Sequence, residues 1–379
     1  MPKETYNFNL EVLTPVHVGM GKEKDYLPGL DYGLYGGYFE IYNQSKLLNS
    51  LSTPQLNAVA AHLVNGDMNT FSKYLNNNNL ITNEVIDYTW PSQFMPGNNE
   101  SIKRCYQNGL GKWIIPGSSI KGVLRSAIAT ALFKKNGSQV LLNEKELLGN
   151  IESDLLKFLQ VSDCTIEGKP GIFPVKIFSG DKNIDRKYGA WKNNRIGGHN
   201  TEFNKQDFVT YYEMLPDAKS SDDNKTTFGQ FRINWGANIK IENFLSTNNR
   251  NFHVVFNNES IQWLIEVLKS HTNSFIDKEI AFFQKYSNDR LNNIFFQELE
   301  EIKSANQNSK DTFVMRIGAN VGWHSITGDW KWNDYSKAIE LNRQNRVQFK
   351  TRKILFDKYD DKSPIRFTLP GFVKITLQT

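Results

Sequence analysis

Lys121 and Arg125 follow a Pro116-Gly117 turn and two serines, Ser118 and Ser119, and are spaced i, i+4. That order can bind an anion. Pro-Gly punctuates the chain, and either serine hydroxyl can cap the first backbone N–H groups of a helix. The positive helix end, with two cations on one face, then attracts a phosphate. From Ser101 to Lys135 there are seven Lys or Arg residues and no Asp or Glu. A basic run alone is ordinarily a solvated face; the ordered turn, cap and cation spacing favour phosphate.

His17 has the right chemistry for a general base on a ribose 2′-OH, as a metal-independent ribonuclease needs. No second His or Lys lies beside it in sequence as the acid, so a turn-stabilising or RNA-contacting His competes with that role. His199 and His324 could join it only through folding. Asp163, Asp181 and Asp185 are the carboxylates a metal-dependent nuclease would use, but they are scattered among lysines and suit salt bridges. Trp191 and Trp323 sit in Gly-rich, basic surroundings and fit either base stacking or a core. Arg343, Arg346, Lys350, Arg352 and Lys353 form a second basic cluster, a solvated face able to touch a nucleic-acid backbone.

These residues need elements to hold them. Tyr6, Phe8, Leu10 and Val12 alternate with polar residues and predict a half-buried strand. It runs into the turn Thr14-Pro15-Val16-His17-Val18-Gly19-Met20-Gly21. Residues 32–42 predict a hairpin with Gly36-Gly37 at its tip. Ile120, Val123, Leu124, Ala127, Ile128, Ala131 and Leu132 fall on one stripe of a helix over 119–135, and a second helix is expected over roughly 143–160. Strands are expected at 161–163, 171–178, 211–216 and 226–235. Residues 180–206, with Lys187, Lys192 and Arg195, read as a protruding hairpin. Residues 258–305 form a helical block. Late strands lead into Gly318–Gly322 and close with Pro370–Ile375. The order fits an α+β fold with a ferredoxin-like (RRM-like) split βαβ core, in one domain over 1–379 with insertions at 44–110 and 255–310. Such a core offers a sheet face and glycine turns to RNA.

The chain has 379 residues, a net charge of +5 and 39% hydrophobic residues. It can bury a sizeable core, and its charge suits a polyanionic partner without requiring one. Neither glycine turn fits the nucleotide-binding fingerprints, which argues against ATP or NAD. Cys105 and Cys164 form no Cys-x-x-Cys, and the six histidines show no metal-ligand spacing. No cofactor or metal is expected. Without a leader-like or membrane-spanning apolar run, a cytoplasmic protein is expected.

Taken together, Thr14–Gly21 followed by Ile115-Pro116-Gly117-Ser118-Ser119-Ile120-Lys121-Gly122-Val123-Leu124-Arg125 resembles the RAMP superfamily of CRISPR effector proteins. Val161-Ser162-Asp163, Glu213-Met214-Leu215-Pro216 with Thr227-Phe228, Arg316-Ile317-Gly318 to Gly322-Trp323-His324, and Gly371-Phe372-Val373-Lys374 also look like family segments. The resemblance is strongest to a single-copy subunit of the type III-A (Csm) complex. It implies an RRM-like RAMP palm with a protruding thumb hairpin at 180–206. It also implies a non-catalytic subunit that grips the 3′ region of the CRISPR RNA (crRNA) and caps a filament of backbone RAMP subunits. Such subunits support 3′-end maturation by recruiting host exoribonucleases, and their complex engages target RNA in antiviral defence.

On that reading Gly117, Ser118, Ser119, Lys121 and Arg125 hold phosphates, and His17, Gly19 and Gly21 shape the adjoining turn. Arg316, Gly318, Gly322, Trp323 and His324 close the other side, while Lys187, Lys192 and Arg195 lie on the hairpin. The backbone RAMP's cleaving aspartate finds no convincing match in Asp25 or Asp31. The alternatives are a metal-independent CRISPR-repeat endoribonuclease using His17 as base, and a protein-only scaffold.

Overall fold

Alternation builds the first sheet as expected: in strand β1 (Glu4–Val12), Phe8, Leu10 and Val12 are buried while Asn7 and Asn9 face solvent. The computed structural model describes residues 4–21, 24–65, 68–91, 101–135, 147–150, 154–180, 189–195, 198–220, 226–235, 255, 260–319, 351–358 and 365–378.

After β1 come β2 (Tyr32–Tyr35), β3 (Tyr38–Tyr42), α1 (Gln44–Ser50), α2 (Thr53–Asn65), α3 (Met68–Asn77), β4 (Ile86–Pro91), β5 (Ile102–Lys103), β6 (Ile114–Ile115) and α4 (Gly117–Lys135). A 3-10 turn (Leu155–Phe158) leads to β7 (Leu159–Val161), β8 (Cys164–Glu167), β9 (Gly171–Ser179), β10 (Ala190–Lys192), β11 (His199–Asn200), β12 (Thr210–Met214) and β13 (Phe228–Trp235). Two long helices follow, α5 (Ser260–Tyr286) and α6 (Asp289–Gln307). The remaining strands are β14 (Thr312–Arg316), β15 (Thr351–Lys358), β16 (Ile365–Thr368) and β17 (Phe372–Leu377).

The main sheet runs β14-β17-β1-β13-β8-β6, with β7 also on β13, and its neighbours are all antiparallel. Its buried face packs Phe8, Leu10 and Val12 against Leu124, Ile128 and Leu132 of α4 and Leu264, Ile265 and Leu268 of α5. The helical segment read as an insertion therefore supplies core. The opposite face is rich in amides: Gln230 and Gln378 both donate to Asn9 Oδ1, at 3.2 and 2.5 Å.

A second sheet runs β11-β10-β9-β12-β5, with β15 on β9 and β16 on β15. The small β2-β3-β4 sheet contains the expected hairpin, whose Gly36 and Gly37 both take positive φ, the signature of a type I′ turn.

Two local expectations change, and the open choice for Trp191 is decided. The helix expected over 143–160 is, across 154–161, a 3-10 turn capped by Asp154 and then a strand; Leu155, Leu156, Phe158 and Leu159 are buried, and this apolar run imitated helical periodicity. Trp191 is a core residue, packed on Phe178, Phe203 and Phe367. Arg352, assigned to a solvated cluster, forms a buried ion pair with Glu279 at 2.6 Å, its guanidinium 3.9 Å from the Phe282 ring centre. Arg343, Arg346 and Lys350 lie outside the described residues.

Carboxylates also gather beneath the second sheet. Arg366 pairs with Asp357 at 3.0 Å and Asp217 at 3.5 Å, and Glu298 accepts the Leu369 N–H at 2.9 Å. Burial lifts Glu298 to about 7 and Asp357 to about 6. A carboxyl raised in the fold contributes stability below its unfolded pKa, near 4.5, and loses that contribution as pH rises through 7. Glu298→Gln keeps an acceptor for Leu369 and removes the charge. It should raise the melting temperature relative to the parent at pH 8, by roughly 3 kcal/mol equivalent, and leave it little changed at pH 4.5. Paired thermal melts at the two pH values check the sign.

Candidate nucleic-acid interface

The loop after β1 is bound from several sides. Leu13 and Thr14 N–H donate to Phe372 O, Val16 and Leu215 exchange backbone bonds, and Gly371 N–H donates to Pro15 O. Ala319 N–H donates to His17 O at 2.9 Å, and Gly318, at φ +103°, lies so close that a Cβ would sit 2.2 Å from that oxygen. The Gly19–Gly21 turn and Gly318-Ala319, which open the second glycine turn about 300 residues away, thus lie together. Gly19 and Gly21 are exposed there.

Tyr106 links this turn to helix α4. Its N–H donates to Val18 O at 2.7 Å, and its carbonyl accepts from Ile114, two residues before the Pro116-Gly117 corner. Helix α4 starts at Gly117, so Ser118 and Ser119 lie inside its first turn rather than at the cap. The cap is supplied from afar, by Asp163 Oδ1 accepting the Gly117 N–H at 2.8 Å. Ser118 is exposed and Ser119 half-buried. Lys121 Nζ donates to Leu156 O at 2.7 Å, and Arg125 pairs with Asp154 at 3.2 Å. Both side chains keep partial exposure, so the cations stand beside the serines while bracing the 3-10 turn. Partial burial lowers the Lys121 pKa.

His17 is 4% exposed. Its Nδ1–H donates to Glu213 O at 2.7 Å, and its ring meets the Tyr212 edge at a centroid distance of 5.0 Å. Burial pulls its pKa down to about 4, against the raising effect of the Glu213 bond, with Lys353 lowering it further. The ring is neutral at pH 7, and its Nε2 faces Gly19, where a Cβ would stand 2.9 Å away. This geometry suits a residue that shapes a turn; a base so weakened has little driving force to take a proton.

Under the turn lies Glu213, which nothing in the local sequence marked as a site residue. Its carboxylate accepts from Tyr88 Oη at 2.6 Å, Tyr26 Oη at 3.2 Å and Cys105 N–H at 2.7 Å. Its carbonyl takes the His17 N–H and the Cys105 thiol. Burial raises its pKa, as it does those of Tyr26, Tyr88 and Cys105. The available signal was a lone Glu in the aromatic, apolar run Tyr211-Tyr212-Glu213-Met214-Leu215. Around the turn are further cations: Lys353, from the second basic cluster, donates to Tyr212 Oη at 3.1 Å, Lys103 pairs with Asp25, and Arg104 lies over the Tyr26 ring.

Other sequence candidates fall elsewhere. Arg316 is buried, donating to Pro370 O at 2.8 Å between the Phe275 and Phe372 rings, so its guanidinium is not on the surface. Lys192 rests 3.7 Å from the Phe208 ring centre on the β10–β11 hairpin, and Arg195 is exposed near its tip. Lys187, Gly322, Trp323 and His324 lie outside the described residues. Among the described residues no cluster of three His, Cys, Asp or Glu could hold a metal, and no helix is long and apolar enough to cross a membrane.

The RAMP superfamily model matches residues 9–323. The Methanocaldococcus jannaschii protein described as CRISPR system Cms protein Csm5 is 22% identical over 376 residues, covering 93% of this chain and 78% of that protein. Among solved structures, a chain of a Csm–crRNA–target RNA ternary complex from a type III-A CRISPR-Cas system matches 99% of this chain and 100% of its own length, with a TM-score of 0.66 at 17% identity. T. onnurineus Csm5 matches 96% of this chain and 99% of its own length, with a TM-score of 0.56 at 16% identity. With the family model spanning both glycine-bearing halves of the joined turn, and Csm5 proteins similar over nearly the full length, the chain belongs to the RAMP superfamily.

Proposed function

We propose that this protein is a non-catalytic, crRNA-binding subunit of a type III-A (Csm) complex, capping the 3′ end of the crRNA filament and supporting maturation of that end. The observation that carries this reading is the joined glycine surface. Exposed Gly19 and Gly21, closed from behind by Gly318, share a hydrogen-bonded frame with the start of α4. Exposed backbone and helix N-termini are suited to phosphates. Ser118, Ser119, Lys121 and Arg125 would hold the RNA backbone, while Gly117, buried and with its N–H taken by Asp163, shapes the corner behind them; Lys192 and Arg195 would extend the grip along the hairpin. In this reading the main sheet with α4 and α5 is a ferredoxin-like palm, and β10–β11 belongs to the thumb. Its partners are crRNA, target RNA, other RAMP subunits, chiefly the backbone subunit, and host exoribonucleases.

Purifying the tagged protein from its host, then sequencing the accompanying RNA and identifying the proteins, tests the proposal. A uniform small RNA with a trimmed 3′ end, together with other RAMP subunits, is expected. A repeat fragment ending in a cyclic phosphate, without partner subunits, would instead indicate the His17 ribonuclease.

Lys121→Ala with Arg125→Ala should weaken binding of unrelated RNA sequences about equally, roughly tenfold at low salt, and reduce the salt slope by about 1–2. Affinity measured across a salt series checks this. A parental slope in a folded double variant removes these two cations from the interface.

A further inference from the structure

Arg316, Ser126 and His271 converge on a narrow space between α4, α5 and the end of β14. It is lined by Val123, Ser126, His271, Thr272, Phe275 and Arg316, and a water molecule's centre can range over about 10 Å³ within it. Two polar atoms at its wall are buried with no hydrogen-bond partner among the described residues: Ser126 Oγ and Arg316 Nη1. Their residues are only 3% and 5% exposed. Thr272 is already satisfied, since its hydroxyl donates to Val314 O at 2.5 Å. Arg316 uses its Nε–H on Pro370 O and its faces on two phenylalanine rings, which leaves Nη1 turned to other chemistry.

An unpaired guanidinium N–H and an unpaired hydroxyl in a core are expensive, and native interiors resolve such pairs with an internal water making two to four hydrogen bonds. The size and the lining both fit. His271 is half-buried, and desolvation pulls its pKa down to about 4, with Lys278 and Lys134 pushing the same way. A neutral imidazole offers one acceptor as well as one donor.

We propose that this chamber is a binding site for one structural water, held by Arg316 Nη1, Ser126 Oγ and a ring nitrogen of His271. The water accepts from the guanidinium and donates to the imidazole and the serine. It joins the helix that begins at Gly117 to the strand that ends two residues before Gly318. The site would thus pin together the two halves of the glycine surface from inside the core. It does not depend on what that surface binds.

The test is a structure of the full chain, alone or within its complex, at a resolution that shows other internal waters, together with thermal melts of Ser126→Ala. The expected result is a peak within hydrogen-bond reach of all three groups and a fall in melting temperature of about 1–3 °C. Alanine is the better helix former, so a fall runs against local propensity and reports the lost bridge. No peak between the three groups would overturn the proposal. So would a Ser126→Ala melt equal to or above the parent, since deleting an unbridged buried hydroxyl relieves a cost.

Discussion

Gly318→Ala should be the most damaging single-methyl change in the described part of this protein. Two costs combine. At φ +103° an L side chain is strained, by about 1–3 kcal/mol. The new Cβ would also fall 2.2 Å from the His17 carbonyl oxygen, a backbone atom fixed by its bond from Ala319, so the two turns must separate. We expect a loss of at least about 3 kcal/mol and, because the parted turns are the proposed RNA surface, a loss of RNA affinity beyond that of a comparably unstable variant. Gly21→Ala provides the control: its φ is +102°, yet nothing lies within 4 Å of its would-be Cβ, so it bears the strain alone. Denaturant melts and RNA titrations of the pair separate strain from collision. Equal losses in the two variants would show that the seam between the turns carries no weight.

Glu213→Ala should come next. The substitution strands two phenol O–H groups and the Cys105 N–H in a dry interior, at about 1–3 kcal/mol per orphaned group. Removing a buried carboxylate returns part of this, and a net loss of about 3 kcal/mol remains. Glu213→Gln should lose less, since one oxygen still accepts, but its NH2 must face a donor. The expected stability order is parent, Gln, Ala. The His17 ring is the local reporter. Its Nδ1–H bond goes to the residue 213 backbone carbonyl, so in NMR the low pKa should persist in the Gln variant and rise toward 6.5 only if the turn opens. An alanine variant as stable as the parent would mean the three donors find other acceptors.

What could be read from the sequence follows the range of the forces involved. The Gly36-Gly37 hairpin, the alternation of β1 and the apolar stripe of α4 are decided by neighbours within a few residues, and each is found. The roles of polar side chains are decided by partners far away. Asp163 caps a helix 46 residues upstream, so two nearby serines looked like the cap. Glu279 draws Arg352 into the core across 73 residues, and aromatic walls do the same for Arg316 and Trp191. The glycine turns were recognisable as pieces; that they touch follows from β17 lying beside β1. Glu213 was hidden because its donors come from positions 26, 88 and 105.

The place of β17 also sets a timetable. β1 is flanked by β13 on one side and β17 on the other, so an early strand is held by one made long after it. At roughly 5–20 residues per second on the ribosome, β1 waits about 20–70 s for that neighbour. Until then the edge of β1 is unpaired and the glycine surface cannot close, since Phe372 and Gly371 supply its bonds. The main sheet therefore stays incomplete until β17 has emerged, and the proposed RNA surface closes only once that strand pairs with β1.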